Sequence, residues 1–156
     1  MYAVRHWSVR HARALERTYA VVERALVALG PVFGRLGFER VEPAVAVTER
    51  SVKTLLFDCK MCGQCVLTDT GMSCPMNCPK SLRNGPCGGV RANGHCEVRP
   101  EMKCVWVAAW EGSRHMAVGA NILSLQPPVD HRLWGRSSWM RVAREKGAPG
   151  GPPAHG

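Results

Sequence analysis

The sequence predicts an α-plus-irregular chain: an N-terminal helical segment, a loop-rich cysteine module and an extended tail. Three observations predict it. Apolar residues recur at helical spacing before residue 57. All eight cysteines fall within the 46 residues from Cys59 to Cys104. Glycine and proline become frequent from that point on. The expected divisions are a docking segment over 1–56, the eight-cysteine module over 57–110, a tail over 111–145, and a compositionally disordered end over 146–156.

In the first segment, Leu15, Tyr19, Val22, Leu26 and Leu29 are spaced 4, 3, 4 and 3 apart, which sets them on one face of a helix over 11–29. Gly30-Pro31 is read as its end, glycine capping and proline refusing to continue. Gly34 and Gly37 break the chain. Glu42-Pro43 is read as the start of a second helix running to about Leu56, with proline in its first turn. Val45, Val52, Leu55 and Leu56 form its expected apolar side. These faces look too large for the cysteine module alone to cover, which points to a partner.

After the cysteines, Val105 to Trp110 is a short apolar run with two of the five tryptophans. Residues 112–130, with Gly119, Pro127 and Pro128, are expected to be loop or extended. Residues 131–145 predict a short helix. The final GAPGGPPAHG lacks the residues of a packed core.

A chain of 156 residues suffices for one domain of ordinary size. The cysteine segment has no apolar run to form a core, so metal ligation or disulfides must hold it. The N-terminus has no apolar signal-peptide region. The expected location is therefore cytoplasmic, where disulfides rarely persist, and close CxxC pairs favour metal. The longest uncharged run near the N-terminus, Ala25 to Gly34, is far short of a bilayer span. The net charge of +9 divides evenly, +3 in each of 1–58, 59–106 and 107–156. A nucleic-acid binder concentrates its charge on one element, so no nucleic-acid partner is expected. No GxxxxGK or GxGxxG loop occurs, which argues against a nucleotide site.

The spacing is Cys59-x2-Cys62-x2-Cys65-x8-Cys74-x3-Cys78-Pro79, then x8 to Cys87, x8 to Cys96 and x7 to Cys104. Eight thiolates supply two four-cysteine sites. Cysteines at i, i+3 and i+6 can reach three corners of one cubane cluster, whereas zinc favours paired CxxC knuckles. The run resembles the bacterial ferredoxin pattern CxxCxxCxxxCP, with the Cys-Pro displaced. Two [4Fe–4S] clusters are the leading expectation and zinc the alternative. One site is expected to take Cys59, Cys62, Cys65 and one later cysteine, and the other site the rest. The glycines around the thiols let backbone N–H groups approach sulfur. Lys80, Arg83 and Arg91 put positive charge near anionic sites, where solubility would explain them equally. His95 is read as a surface or outer-layer residue. Thiol–disulfide exchange would use two cysteines and leave six unexplained.

The run CxxCGQC, CPMNCPK, LRNGPCGG, CEV and CVW resembles the methylenetetrahydrofolate reductase C-terminal domain family. The resemblance covers residues 57–110, about a third of the chain. Residues 126–141, QPPVDHRLWGRSSWMR, look similar to the tails of stand-alone members. In that family the cysteine-rich module occurs as a small subunit beside a flavin-containing TIM-barrel subunit. The resemblance implies that Cys59, Cys62, Cys65, Cys74, Cys78, Cys87, Cys96 and Cys104 are ligands of iron–sulfur clusters, and zinc is also attached to the family. It implies electron transfer to the partner's flavin, which reduces methylenetetrahydrofolate. The chain itself contains no flavin barrel, so the expected role is that of a non-catalytic subunit in one-carbon metabolism. A different one-carbon enzyme, such as a corrinoid methyltransferase, is an alternative partner. The alternative role is a non-redox zinc-binding assembly subunit. Trp106 and Trp110 would either shield a cluster, anchor an interface or simply pack.

Overall fold

A computed structural model describes residues 2–147. Five helices carry the fold: α1 (Tyr2–Arg10), α2 (Ala12–Leu36), α3 (Phe38–Phe57), α4 (Val105–Ser113) and α5 (Ser138–Gly147). Single 3-10 turns lie at Pro75–Asn77, Gly119–Leu123 and His131–Leu133. Among the described residues there is no strand, only the isolated antiparallel bridges Val90–Cys96 and His95–Lys103. No described helix is long and apolar enough to cross a membrane. The α-rich expectation is met.

Four boundaries differ from the sequence reading. Tyr2–Arg10 is helical, which the sequence did not signal. The helix expected to stop at Gly30-Pro31 continues to Leu36. Gly30 serves a crossing instead of a cap: α5 packs on α2 there. A Cβ at Gly30 would come within 3.0 Å of the Ala143 carbonyl and 3.1 Å of Gly147 Cα. The third helix starts at Phe38, before the expected Glu42-Pro43, so Pro43 lies inside it. Proline removes one helical N–H there. The turn is anchored from outside, because Glu42 accepts hydrogen bonds from Arg136 Nε and Nη2, each 2.8 Å, and from the Ser137 N–H at 3.2 Å. Finally, Val105–Ser113 is a full helix and Gly119–Leu123 adds a 3-10 turn to a stretch expected to be loop, whereas the short helix expected within 131–145 is present as Ser138–Gly147.

α3 also turns a different face inward. Its buried residues are Glu42, Glu49, Lys53 and Phe57, spaced 7, 4 and 4. Of its expected apolar side, Val52 and Leu55 are exposed, while Val45 and Leu56 are half-buried, Leu56 against the main core. The expected face of α2 is correct at Leu15, Tyr19, Val22 and Leu26, which are half-buried, while Leu29 is exposed.

The main core joins Ala12 of α2 and Phe57 of α3 to Leu67, Met72 and Met116, with Tyr19, Leu56 and Cys74 against it. A second cluster of Cys104, Trp106 and Ala109 takes in Val90 and Ile122. The cysteine segment thus supplies core residues of its own. Gly71 lies against α4, at φ +58, where a Cβ would collide with the Ala109 carbonyl. The stretch expected to be disordered, 146–156, begins inside α5, and residues 148–156 lie outside the described residues.

Candidate metal centre

α3 ends at Asp58 in the left-handed conformation, φ 52, and the chain turns directly into the first cysteines. The Cys59 N–H returns to the Lys53 carbonyl at 3.3 Å. Met61, at φ 51, then bends the loop so that its N–H meets Cys59 Sγ at 3.3 Å. Gly63 takes φ +73 with its Cα against Leu133, where no side chain fits. Cys59, Cys62, Cys65 and Cys74 come to line one cavity, together with Lys53, Glu49, Phe57 and Arg83.

The tail covers this loop. Gly135 N–H bonds to the Met61 carbonyl at 2.7 Å. Asp130 N–H bonds to Gln64 Oε1 at 2.7 Å. Arg83 ties tail to loop, donating from Nε to the Pro127 carbonyl at 2.8 Å and from Nη2 to the Gln64 carbonyl at 2.9 Å. Beside this cover a wider cleft opens, lined by Cys65, Val66, Arg83, Leu125, Pro127 and Arg141 among others. Cys65 is exposed, whereas Cys62 is buried.

Lys53, Glu49 and Tyr19 stand beside these cysteines without having been marked as site residues by the sequence. Lys53 is 1% exposed. Its ammonium donates to Glu49 Oε1 at 2.5 Å and to Ser138 Oγ at 2.7 Å. It lies 5.5 Å from the Tyr19 ring centre and 5.3 Å from that of Trp139. Tyr19 Oη lies 3.6 Å from Cys65 Sγ. The only sequence signal available was a charged pair at i, i+4 on α3, which reads as a solvated surface pair.

Burial pushes the Cys59 thiol up to about 11, with neighbouring Cys65 and Cys62 adding to the rise. Burial also raises Cys74, as do Cys59, Cys65 and Cys62. Burial alone would lower Lys53, but Cys65, Tyr19 and Glu49 more than reverse it, so the ammonium keeps its proton.

These residues fit a thiolate metal centre. Four cysteines line one cavity, and burial favours the protonated thiol at Cys59 and Cys74. Arg83 is 6% exposed and its Nη1 is buried with no partner. A buried donor of that kind needs an acceptor, and a thiolate on the same cavity would be one. As the side chains stand, no group of three His, Cys, Asp or Glu among the described residues converges tightly enough to hold one metal ion.

The other four cysteines lie outside this cavity. Cys78 follows the 3-10 turn that Cys74 precedes. Cys87 lies near Lys80, whose ammonium is raised first by its bond to Glu97 and also by Cys87. Cys96 and Cys104 are placed by two ladder bonds, Cys96 N–H to the Met102 carbonyl and Cys104 N–H to the Gly94 carbonyl, both 2.9 Å. His95 bonds through Nδ1 to the Pro100 carbonyl at 2.7 Å. Trp106 is buried over Gly85, with Nε1 donating to the Leu82 carbonyl at 3.2 Å, while Trp110 is half exposed.

A family model described as methylene-tetrahydrofolate reductase C terminal matches residues 38–132, more than half of the chain. The chain belongs to this family. The matched span contains α3 with Lys53, every cysteine and the covering residues up to Arg132, and it leaves out α1, α2 and α5. The family's name links the chain to methylenetetrahydrofolate reductase. No curated protein and no solved structure matches it.

Proposed function

We propose that this chain is an iron–sulfur electron-transfer subunit of a methylenetetrahydrofolate reductase-type complex. The observation that carries this reading is the cavity shared by Cys59, Cys62, Cys65 and Cys74, with buried Lys53 and Arg83 on its wall. The i, i+3, i+6 run plus one later cysteine matches the ligand set of one cubane. When bound, a [4Fe–4S] cluster accepts and returns single electrons.

The chain's own residues do the rest. The four thiolates hold the cluster. The Met61 N–H points at Cys59 sulfur, which favours the charged thiolate. Lys53 and Arg83 offset negative charge in a low-dielectric setting. The tail residues Asp130 and Gly135 close the loop against water. Exposed Cys65 lines the open cleft, so it would be the ligand nearest a docked partner, a flavin-bearing subunit in this reading. Cys78, Cys87, Cys96 and Cys104 hold a second cluster. Folate and flavin chemistry belongs to that partner.

The test is the visible spectrum and the metal and sulfide content of anaerobically purified protein. About eight irons and eight sulfides per chain, with a broad band bleached by dithionite, are expected. The reduced protein should then bleach the oxidised flavin of the reductase subunit. A colourless protein with about two zincs would replace this reading with a structural zinc module.

A further inference from the structure

Two residues from helices outside the cysteine module stand at the centre, Lys53 on the cavity wall and Tyr19 against Cys65. Tyr19 belongs to α2, outside the span matched to the family. Its hydroxyl lies 3.6 Å from Cys65 Sγ, within the reach of a hydrogen bond to sulfur. A metal-bound thiolate has no proton, so the phenol is the donor. Behind it stands the Lys53 ammonium, 5.5 Å from the Tyr19 ring centre.

The lysine is held in one orientation. Glu49 binds it, and Glu49 is fixed in turn by Ser137 Oγ at 2.5 Å, by Ser138 Oγ and by the Trp139 N–H at 3.2 Å. The carboxylate is bound at the start of α5, and the ammonium lies between Ser138, Trp139 and Tyr19 on the wall of the cavity that Cys65 shares. A buried pair adds little net stability over an apolar one, so packing alone does not account for a cation here. Reduction potentials follow the net charge and the hydrogen bonds at cluster sulfur.

We propose that Tyr19 and Lys53 act together as positioning residues that raise the reduction potential of the centre held by Cys59, Cys62, Cys65 and Cys74. This rests on the iron–sulfur reading above. The cluster gains one electron, no bond forms or breaks, and both residues keep their protons. The hydroxyl and the ammonium stabilise the added negative charge. Among the described residues the second set of cysteines has no such arm from α2 and α3; the cation beside it is the exposed Lys80, near Cys87.

The test is an anaerobic redox titration of the full chain, followed by visible and electron paramagnetic resonance spectra, after iron and sulfide have been counted. The variants are Tyr19→Phe and the double change Lys53→Met with Glu49→Gln, which avoids leaving a lone buried carboxylate. In each, one cluster should need a lower potential. Its reduced-to-oxidised ratio at fixed potential should fall about tenfold, which is 59 mV for one electron. The other cluster should not move. Tyr19→Phe with full iron and unchanged potentials overturns the proposal and leaves the iron–sulfur reading intact. Tyr19→Phe that loses half its iron makes Tyr19 a structural residue and also overturns it. A wild-type protein without iron removes both. If the double variant fails to fold, Tyr19→Phe alone decides.

Discussion

The two halves of the cysteine module are built differently. Cys59, Cys62, Cys65 and Cys74 sit on a cavity walled by α3 and covered by the tail, with two buried cations in its lining. Cys78, Cys87, Cys96 and Cys104 sit among turns and two isolated bridges, and the cations near them, Lys80 and Arg91, are exposed. In the first half, long-range contacts fix the loop before any metal binds. In the second, Cys104 is buried against Trp106 and Ala109, while Cys78, Cys87 and Cys96 are only half-buried. Under the two-cluster reading, a bound centre would add most to the order of these three.

The largest effect that separates them is metal removal. Under the two-cluster reading, stripping the chain with a chelator should abolish amide protection over 78–104 while α2, α3 and α5 keep theirs, as hydrogen exchange would show. Cys62→Ser should lower total iron by about half. Unchanged iron in that variant would exclude Cys62 as a ligand.

Next comes the buried pair. Glu49→Ala leaves Lys53 uncompensated and should cost about 3–5 kcal/mol by denaturant unfolding. The pH dependence has a defined sign. Burial raises the Glu49 carboxyl, but Lys53 and the two serines hold it below its ordinary value of 4.5. Its contribution is full above that value and is lost as pH falls through the lower folded-state value. The stability gap between wild type and Glu49→Ala should accordingly narrow only in acid.

A smaller change tests how the module docks on α4. Gly71→Ala puts a Cβ at positive φ against the Ala109 carbonyl and should cost about 2–3 kcal/mol. Glu16→Gln weakens the charge-assisted acceptor for the Ala117 and Val118 N–H groups, both at 3.0 Å. A loss of about 1–2 kcal/mol is expected, read as a lower Tm. At the bottom of the scale, Arg132→Ala breaks the exposed pair with Asp130 and should leave the melting temperature unchanged.

Much of the architecture was legible from spacing. The helical period from Leu15 to Leu26 gave the correct face of α2. The eight cysteines marked the module. Spacing left open which later cysteine joins Cys59, Cys62 and Cys65; Cys74 lines the same cavity. Other features were legible only with their partners. Gly30 read as a cap because local chemistry cannot show that α5 will cross there. Val52 and Leu55 read as the inner side of α3 because an apolar residue is ordinarily buried and a Glu–Lys pair ordinarily exposed. The pair is buried here because Ser137, Ser138 and Trp139 saturate it, and those residues lie some 85 to 90 positions later in the chain.

By itself, then, the sequence determined a helical chain with a cysteine-rich module and the family it belongs to, because helical period and cysteine spacing are short-range properties. Tertiary structure alone decided which thiols share a cavity, which helix face is buried, and that Lys53 and Tyr19 stand beside Cys65. Those outcomes depend on desolvation and on hydrogen bonds closed between distant segments, and neither exists until the chain has folded.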